Sequence, residues 1–422
     1  MLKSILNAFK SADLRKKIAF TFAILAIYRL GTFVPVPGVD AQGIADRIND
    51  QGAANVLQFL NLFSGGALTR FSVFALGIMP YITASIVIQL MTVVIPKLEA
   101  LQKEGEAGYA KITQYTRYLT VVLAFLQSLA YVLFFRQQGA LGDLGFGRLY
   151  LVIISLTAGT VLVMWLGELI TQRGIGNGIS LMIFASIVAG IPTGLNRWWD
   201  LPPVSKIIIG IMAVAVVVGV VFVNEGQRRI PIQYAKRVVG RRMTQGGTTY
   251  MPLRVNMAGV IPVIFAASIV ILPSLFSTLI GGNNGFFADV GRILGTNSWF
   301  YIIFQAVLII LFTYFYTAVQ FNPVDQADNL RRYGGYIPGI RPGPPTAQYL
   351  DRVLTRLTLP GAVYLALVAT LPTLFIRYGG FSQATAGALG GTSVLIAVGV
   401  ALDTMRQMES QMMMRSYEGF LK

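Results

Sequence analysis

The chain has 422 residues, of which 55% are hydrophobic and only 12% charged, with 34 Lys and Arg against 18 Asp and Glu. Soluble domains are about 25% charged, so a chain this apolar has too few polar residues to coat a water-soluble globule. Soluble, disordered and collagen-like classes are excluded, and an integral membrane protein of formal charge +16 remains. The absence of Cys and His also removes disulfides, thiolate nucleophiles, zinc sites and the usual imidazole base.

In chain order, residues 1–17 are polar and basic and read as an amphipathic N-terminus on the cytoplasmic side. No small-residue cleavage site follows the first apolar run, so that run is expected as a retained span. A spanning helix needs about 20 mostly apolar residues. Such runs lie near 18–36, 71–95, 116–135, 149–170, 179–195, 206–224, 257–280, 299–320, 357–376 and 385–402. The expected fold is an all-α polytopic membrane protein with ten transmembrane helices.

Three segments between the spans stand out. Residues 59–74 read FLNLFSGGALTRFSVF, apolar but interrupted and too short to span. They form either a re-entrant half-helix buried in protein or an interfacial amphipathic helix. Residues 225–256 alternate strand-like stretches around Gly240, Arg241 and Arg242, which predicts a β-hairpin-like basic arm. In the basic loop 321–356, Gly and Pro place Arg341 in an exposed turn. Both segments are longer than a topology signal requires, and they suit a polyanion or an acidic protein. Residues 403–422 form a polar tail.

Ten spans put both termini on one side of the membrane. Of the 34 basic residues, 25 fall on that side and eight on the other, with Arg29 inside the first span. The positive-inside rule makes the crowded side cytoplasmic.

The second and seventh spans open alike. Gly77-Ile78-Met79-Pro80-Tyr81-Ile82-Thr83-Ala84 aligns with Gly259-Val260-Ile261-Pro262-Val263-Ile264-Phe265-Ala266. The match falls at the second place of each five-span half, 18–195 and 206–402. Five is odd, so the second half enters the membrane from the opposite face. The halves are an inverted repeat, and a pathway between them is expected near the midplane.

Ionisable residues mark ion relays in transporters, yet Glu168, Asp403 and Arg29 all lie away from the centre of their spans. Isoleucines are placed where charges are not. Ile82 with Ile86, and Ile183 with Ile187, share a helix face, and Ile261 with Ile264 flank Pro262. They either face lipid and core or form an apolar constriction that dewets and blocks ions; periodicity does not choose. No Walker loop, nucleophile elbow or calcium loop is present. The Gly174–Gly178 stretch reads as a tight turn between helices. No enzyme activity and no cofactor is expected, and energy input must come from a partner.

Several long stretches carry a resemblance: FSGGALTRFSVFALGIMPYITASIVIQL, KEGEAGYAKITQYTRY, MWLGELITQRGIGNGIS, GQRRIPIQYAKR, LRVNMAGVIP, FNPVDQADNL and IPGIRPGPPTAQYLDRVLTRLTL. Together they resemble the bacterial SecY family, the central subunit of the protein-conducting channel, over nearly the whole chain. The resemblance implies two inverted five-helix halves around a central pore. It places the pore ring on Ile82, Ile86, Ile187, Ile264 and Ile396, with Ile183 and Ile261 adjacent. It places the plug on Asn61, Leu62, Phe63, Ser64, Gly65, Gly66, Ala67, Leu68, Thr69 and Arg70. Gln89, Gln127 and Ser268 would be polar residues of a lateral gate between spans two and three and spans seven and eight. Arg241, Arg242 and Arg341 would meet the ribosome and the SecA ATPase. The implied partners also include SecE-like and SecG-like small subunits, signal peptides, nascent chains and lipid, in a bacterial plasma membrane. The rival readings are an inverted-repeat transporter of a small solute and a lipid or drug flippase. Neither accounts for the two basic segments.

Overall fold

The computed structural model describes residues 12–37, 39, 61, 63–137, 141, 145–234, 237–239, 242–244, 247–280, 298–379 and 391–418. Among the described residues, ten long helices coincide with the ten expected spans. The first half contains α1 (Ala12–Gly31), α2 (Met79–Val94), the short α3 (Pro96–Lys103), α4 (Glu106–Gln137), α5 (Phe146–Arg173) and α6 (Gly178–Trp199). The second contains α7 (Pro203–Glu225), α8 (Ile261–Ile280), α9 (Trp299–Gln320), the short α10 (Pro323–Arg332), α11 (Pro344–Gly379) and α12 (Gly391–Glu418). Among the described residues, six helical stretches are singly long and apolar enough to cross a membrane, or seven if the bent pair α2–α3 is one span.

The helix ends depart from the apolar runs for local reasons. The second span is expected from residue 71, but helix begins only at Met79. Phe71 and Gly77 both sit in the left-handed region, at φ of 43° and 57°, and residues 73–78 run through turns. At the other end Ile95 precedes Pro96 and is extended, as proline imposes on its predecessor, and the chain bends by 99° into α3. By contrast α4, α11 and α12 overrun their apolar stretches, because polar good helix formers continue the hydrogen-bond ladder beyond them. The Gly174–Gly178 stretch is a tight turn, closed by the Asn177 side chain, which accepts from the Ile179 and Ser180 amides at the start of α6.

The packing repeats between halves. In the first, α2, α4, α5 and α6 pack in sequence, and α1 lies on α5 and α6. In the second, α8, α9, α11 and α12 pack in sequence, and α7 lies on α12. Across the halves α2 meets α8, and α6 meets α12. Each of these helices therefore touches its own counterpart, which is the mark of a two-fold axis. The matched openings are also conformational matches. Gly77 and Gly259 have φ of 57° and 64°, a conformation that suits glycine because it lacks Cβ. In each case helix starts two residues later with a proline in its first turn, where no amide partner is lost. Ala84 and Ala266 are both fully buried.

The segment after α7 is a hairpin. Strand β1 (Gln227–Tyr234) pairs antiparallel with β4 (Thr248–Arg254), from Gln227 opposite Arg254 to Gln233 opposite Thr248. Its outer part continues as β2 (Arg237–Val239) against β3 (Arg242–Thr244). The second basic loop joins this sheet through β5 (Gly335–Tyr336), which pairs with Gln233 and Tyr234. Ile230 and Leu253 of the hairpin bury against Phe321, Ile337, Leu350, Val353 and Leu354, making a small core separate from that of the bundle.

Candidate functional site

The expected ring residues come from four helices. Ile82 and Ile86 lie on α2, Ile183 and Ile187 on α6, Ile264 on α8 and Ile396 on α12. All six are buried in one apolar cluster, and Ile261 on α8 packs against it. These are the four helices that meet across the two halves. Ile82 and Ile264 are counterparts in the aligned motif.

Residues 63–78 pack beside this cluster. Phe63, Ala67, Leu68 and Phe71 are buried in it, so the segment lies inside protein rather than on an interface. Asn61 and Phe63 are helical, and from Ser64 to Ile78 the chain runs through turns. Its shape comes from its own polar groups. The Asn61 Oδ1 atom accepts from the Thr69 amide at 3.1 Å, and the Gly66 amide donates to the Asn61 carbonyl at 2.9 Å. The Ser64 hydroxyl donates to the Asn61 carbonyl and accepts from the Leu68 amide. Residues 34–36 run alongside its far end, with Val36 donating to Phe71 and Val73 to Val34. Leu62 lies outside the described residues.

Two features here went unread in the sequence. The Arg29 guanidinium donates to the Gly65 carbonyl. The neighbouring Tyr28 hydroxyl bonds the Ser186 hydroxyl at 2.7 Å, tying α1 to the helix that carries Ile183 and Ile187. Sequence reading noted Arg29 only as off-centre in its span, because spacing does not show which backbone a long side chain reaches.

The three expected gate residues lie on α2, α4 and α8, and α8 packs on both of the other two helices. Gln89 on α2 and Gln127 on α4 are half-buried, and Ser268 on α8 is buried. The Ser268 hydroxyl donates to the Ile264 carbonyl one turn back at 2.8 Å, which satisfies it within its own helix. On the adjacent helices Arg117 of α4 and Glu168 of α5 form a two-pronged ion pair, at 2.9 and 2.7 Å. That pair gives Glu168 a structural partner instead of a relay role.

At the roots of the hairpin a second polar cluster joins α7, α8 and α12. Arg406 donates to the Asn224 carbonyl at 2.7 Å and pairs with Glu225 at 2.8 Å. Asn256 donates to the Asn224 side chain and to the Gly259 carbonyl. Arg254 beside them has its pKa lowered, first by burial and then by the Arg406 charge. The expected docking residue Arg341 is exposed, its turn closed by the Thr346 hydroxyl donating to the Arg341 carbonyl. Arg242 opens β3, its side chain outside the described residues, and Arg241 lies outside them altogether.

A bundle of apolar helices in two inverted halves defines a polytopic helical membrane protein. The SecY family model matches residues 72–405. Over their full lengths, the chain is 49% identical to the protein translocase subunit SecY of Corynebacterium glutamicum. It is 48% identical to that of Mycobacterium tuberculosis, again over the full length of both. The chain belongs to the SecY family. Among solved structures, a protein-conducting channel superposes with a TM-score of 0.63 at 20% identity, covering 93% of this chain and 91% of that one. Sec61 from a canine ribosome-channel complex gives 0.58 at 19% identity, with the same coverage. These likenesses show the same fold.

Proposed function

We propose that this chain is the channel-forming subunit through which unfolded secretory polypeptides cross the bacterial plasma membrane. The observation that carries the reading is that isoleucines of α2, α6, α8 and α12, the helices that touch across the inverted halves, are buried in the apolar core of the bundle. A passing polypeptide needs an opening that deforms around it yet sheds water and ions. Branched apolar side chains satisfy both needs, because a narrow apolar constriction dewets. Residues 61–70 act as the plug that fills the channel at rest. Parting α8 and α9 from α2 and α4 opens a gate to lipid, through which about 20 apolar residues can partition sideways. Gln89, Gln127 and Ser268 lie along it.

Both termini and the two basic segments are cytoplasmic. The arm and the Arg341 turn dock the ribosome during synthesis and the SecA ATPase afterwards, which supply direction and work. SecE-like and SecG-like subunits complete the membrane complex, and their copurification is the expected outcome of a gentle detergent preparation. No catalytic group is needed in the channel itself.

The test uses Ile82→Cys in a chain that has no other thiol. A secretory chain stalled in the complex and carrying one thiol-reactive probe should crosslink at this position. If it crosslinks only to lipid, or not at all, the channel reading is wrong.

A further inference from the structure

Among the described residues, the hydrogen bonds of residues 64–70 stay within residues 61–72, with one exception. That exception is Arg29, whose guanidinium donates to the Gly65 carbonyl. The segment is otherwise self-contained. Apolar burial holds it in place, and one charge-assisted bond ties it to the bundle. The tie falls at a turn built for it. Gly65 has φ of 66°, and a Cβ there would lie 3.0 Å from the Arg29 Nη1 atom and 3.3 Å from the Ser186 Cα atom. Only a residue without a side chain lets the carbonyl, the guanidinium and α6 meet this closely.

Arg29 is also poised rather than buried in an ion pair. Its guanidinium carbon lies 5.2 Å from the Phe33 ring centroid, and that of Arg70 lies 4.0 Å from the same centroid. Each cation is attracted to the ring, while the two repel one another. None of the ion pairs among the described residues involves Arg29. The far end of the segment is held differently, by the pairing of residues 34–36 with 71–73 and by the Phe71 ring set edge-on against Phe135. Among the described residues, residues 71–73 are paired with 34–36, and the hydrogen bonds of residues 64–70 reach the rest of the bundle only through Arg29.

We propose that Arg29 is the latch of the plug, so that breaking its bond to the Gly65 carbonyl sets the threshold for opening. The inference rests on residues 61–70 being the plug. The latch converts plug position into a discrete two-state choice, and Arg70, sharing Phe33, lowers the cost of release by like-charge repulsion.

The channel complex is reconstituted in vesicles and read for resting ion leak. A second reading is the ratio of translocation with a defective signal sequence to that with an intact one. Arg29→Met keeps the apolar stem and removes the donors. It should raise both readings roughly tenfold, the shift expected when a closed state forfeits one hydrogen bond to a charged group. Arg29→Lys should fall between, and Phe33→Leu should shift both readings in the same direction by less. Deletion of residues 61–70 is the reference. If that deletion leaks and Arg29→Met and Phe33→Leu do not, the latch is wrong and the plug stands. If the deletion itself stays tight, the plug reading fails and the latch with it. Should Arg29→Met not assemble, Arg29→Lys and Phe33→Leu decide by the same two readings.

Discussion

Ile187 is fully buried on α6, the helix that meets α12 across the halves, and it illustrates what a seal would ask of a single residue. A hydroxyl placed there would meet apolar neighbours and either go unpaired or recruit water. Ile187→Ser should therefore raise resting ion conductance in a planar bilayer, while Ile187→Leu, which conserves volume, should leave it near the unmodified level. Equal conductance for Ser and Leu would mean that the ring does not form the ion barrier. The residue-level signals differ in how far the sequence discloses them. Ile82 and Ile264 are visible beforehand because a repeated motif pairs them, whereas the partners of Arg29 and Glu168 are 36 and 51 residues away. No local spacing encodes pairings of that separation.

At the scale of elements, the hairpin is anchored twice. Its own small core joins it to the loop bearing Arg341, and the Asn224, Asn256 and Arg406 cluster joins its roots to α8 and α12. The Asn256 side chain also donates to the Gly259 carbonyl, immediately before α8, so the hairpin root and that helix share a hydrogen bond. Leu253 is fully buried in the small core, and Leu253→Ala should cost about 3 kcal/mol. Because that core is separate from the bundle, the loss should be local. Hydrogen exchange should accelerate in β1, β4 and the start of α11 while α5 and α6 keep their protection. Uniform loss of protection would show that hairpin and bundle unfold as one unit. The hairpin itself is legible from strand-like alternation and a Gly-Arg-Arg turn. The joining of β5 to its edge is not, since two residues carry no periodicity. Turns at 73–78 in place of a span's first coils are likewise hidden, because apolar composition is the same in either conformation.

Across the whole molecule, composition alone separates membrane from soluble, and ten apolar runs lay out the helices. The Gly-Ile/Val-x-Pro repeat is enough to anticipate the inverted halves. What composition leaves undetermined is which apolar residues face the waist, because lipid and core reward the same side chains. The charge follows the same division. It is excessive for topology alone, and 12 of the 34 basic residues lie in two segments that one small sheet brings together, β5 pairing with β1. Binding to a polyanion through such a surface releases counterions, so affinity for empty ribosomes should fall linearly with salt on logarithmic axes. Arg341 is exposed on a turn whose own hydrogen bond uses only its carbonyl, so Arg341→Gln should leave the turn intact. The variant should weaken ribosome binding and make the salt slope shallower by roughly one unit, as expected when one fewer phosphate is neutralised. An unchanged slope with unchanged affinity in a flotation or sedimentation assay would remove Arg341 from the docking surface and leave the hairpin arginines to carry it. A change in affinity without a change in slope would point instead to an acidic protein surface, where no condensed counterions are released.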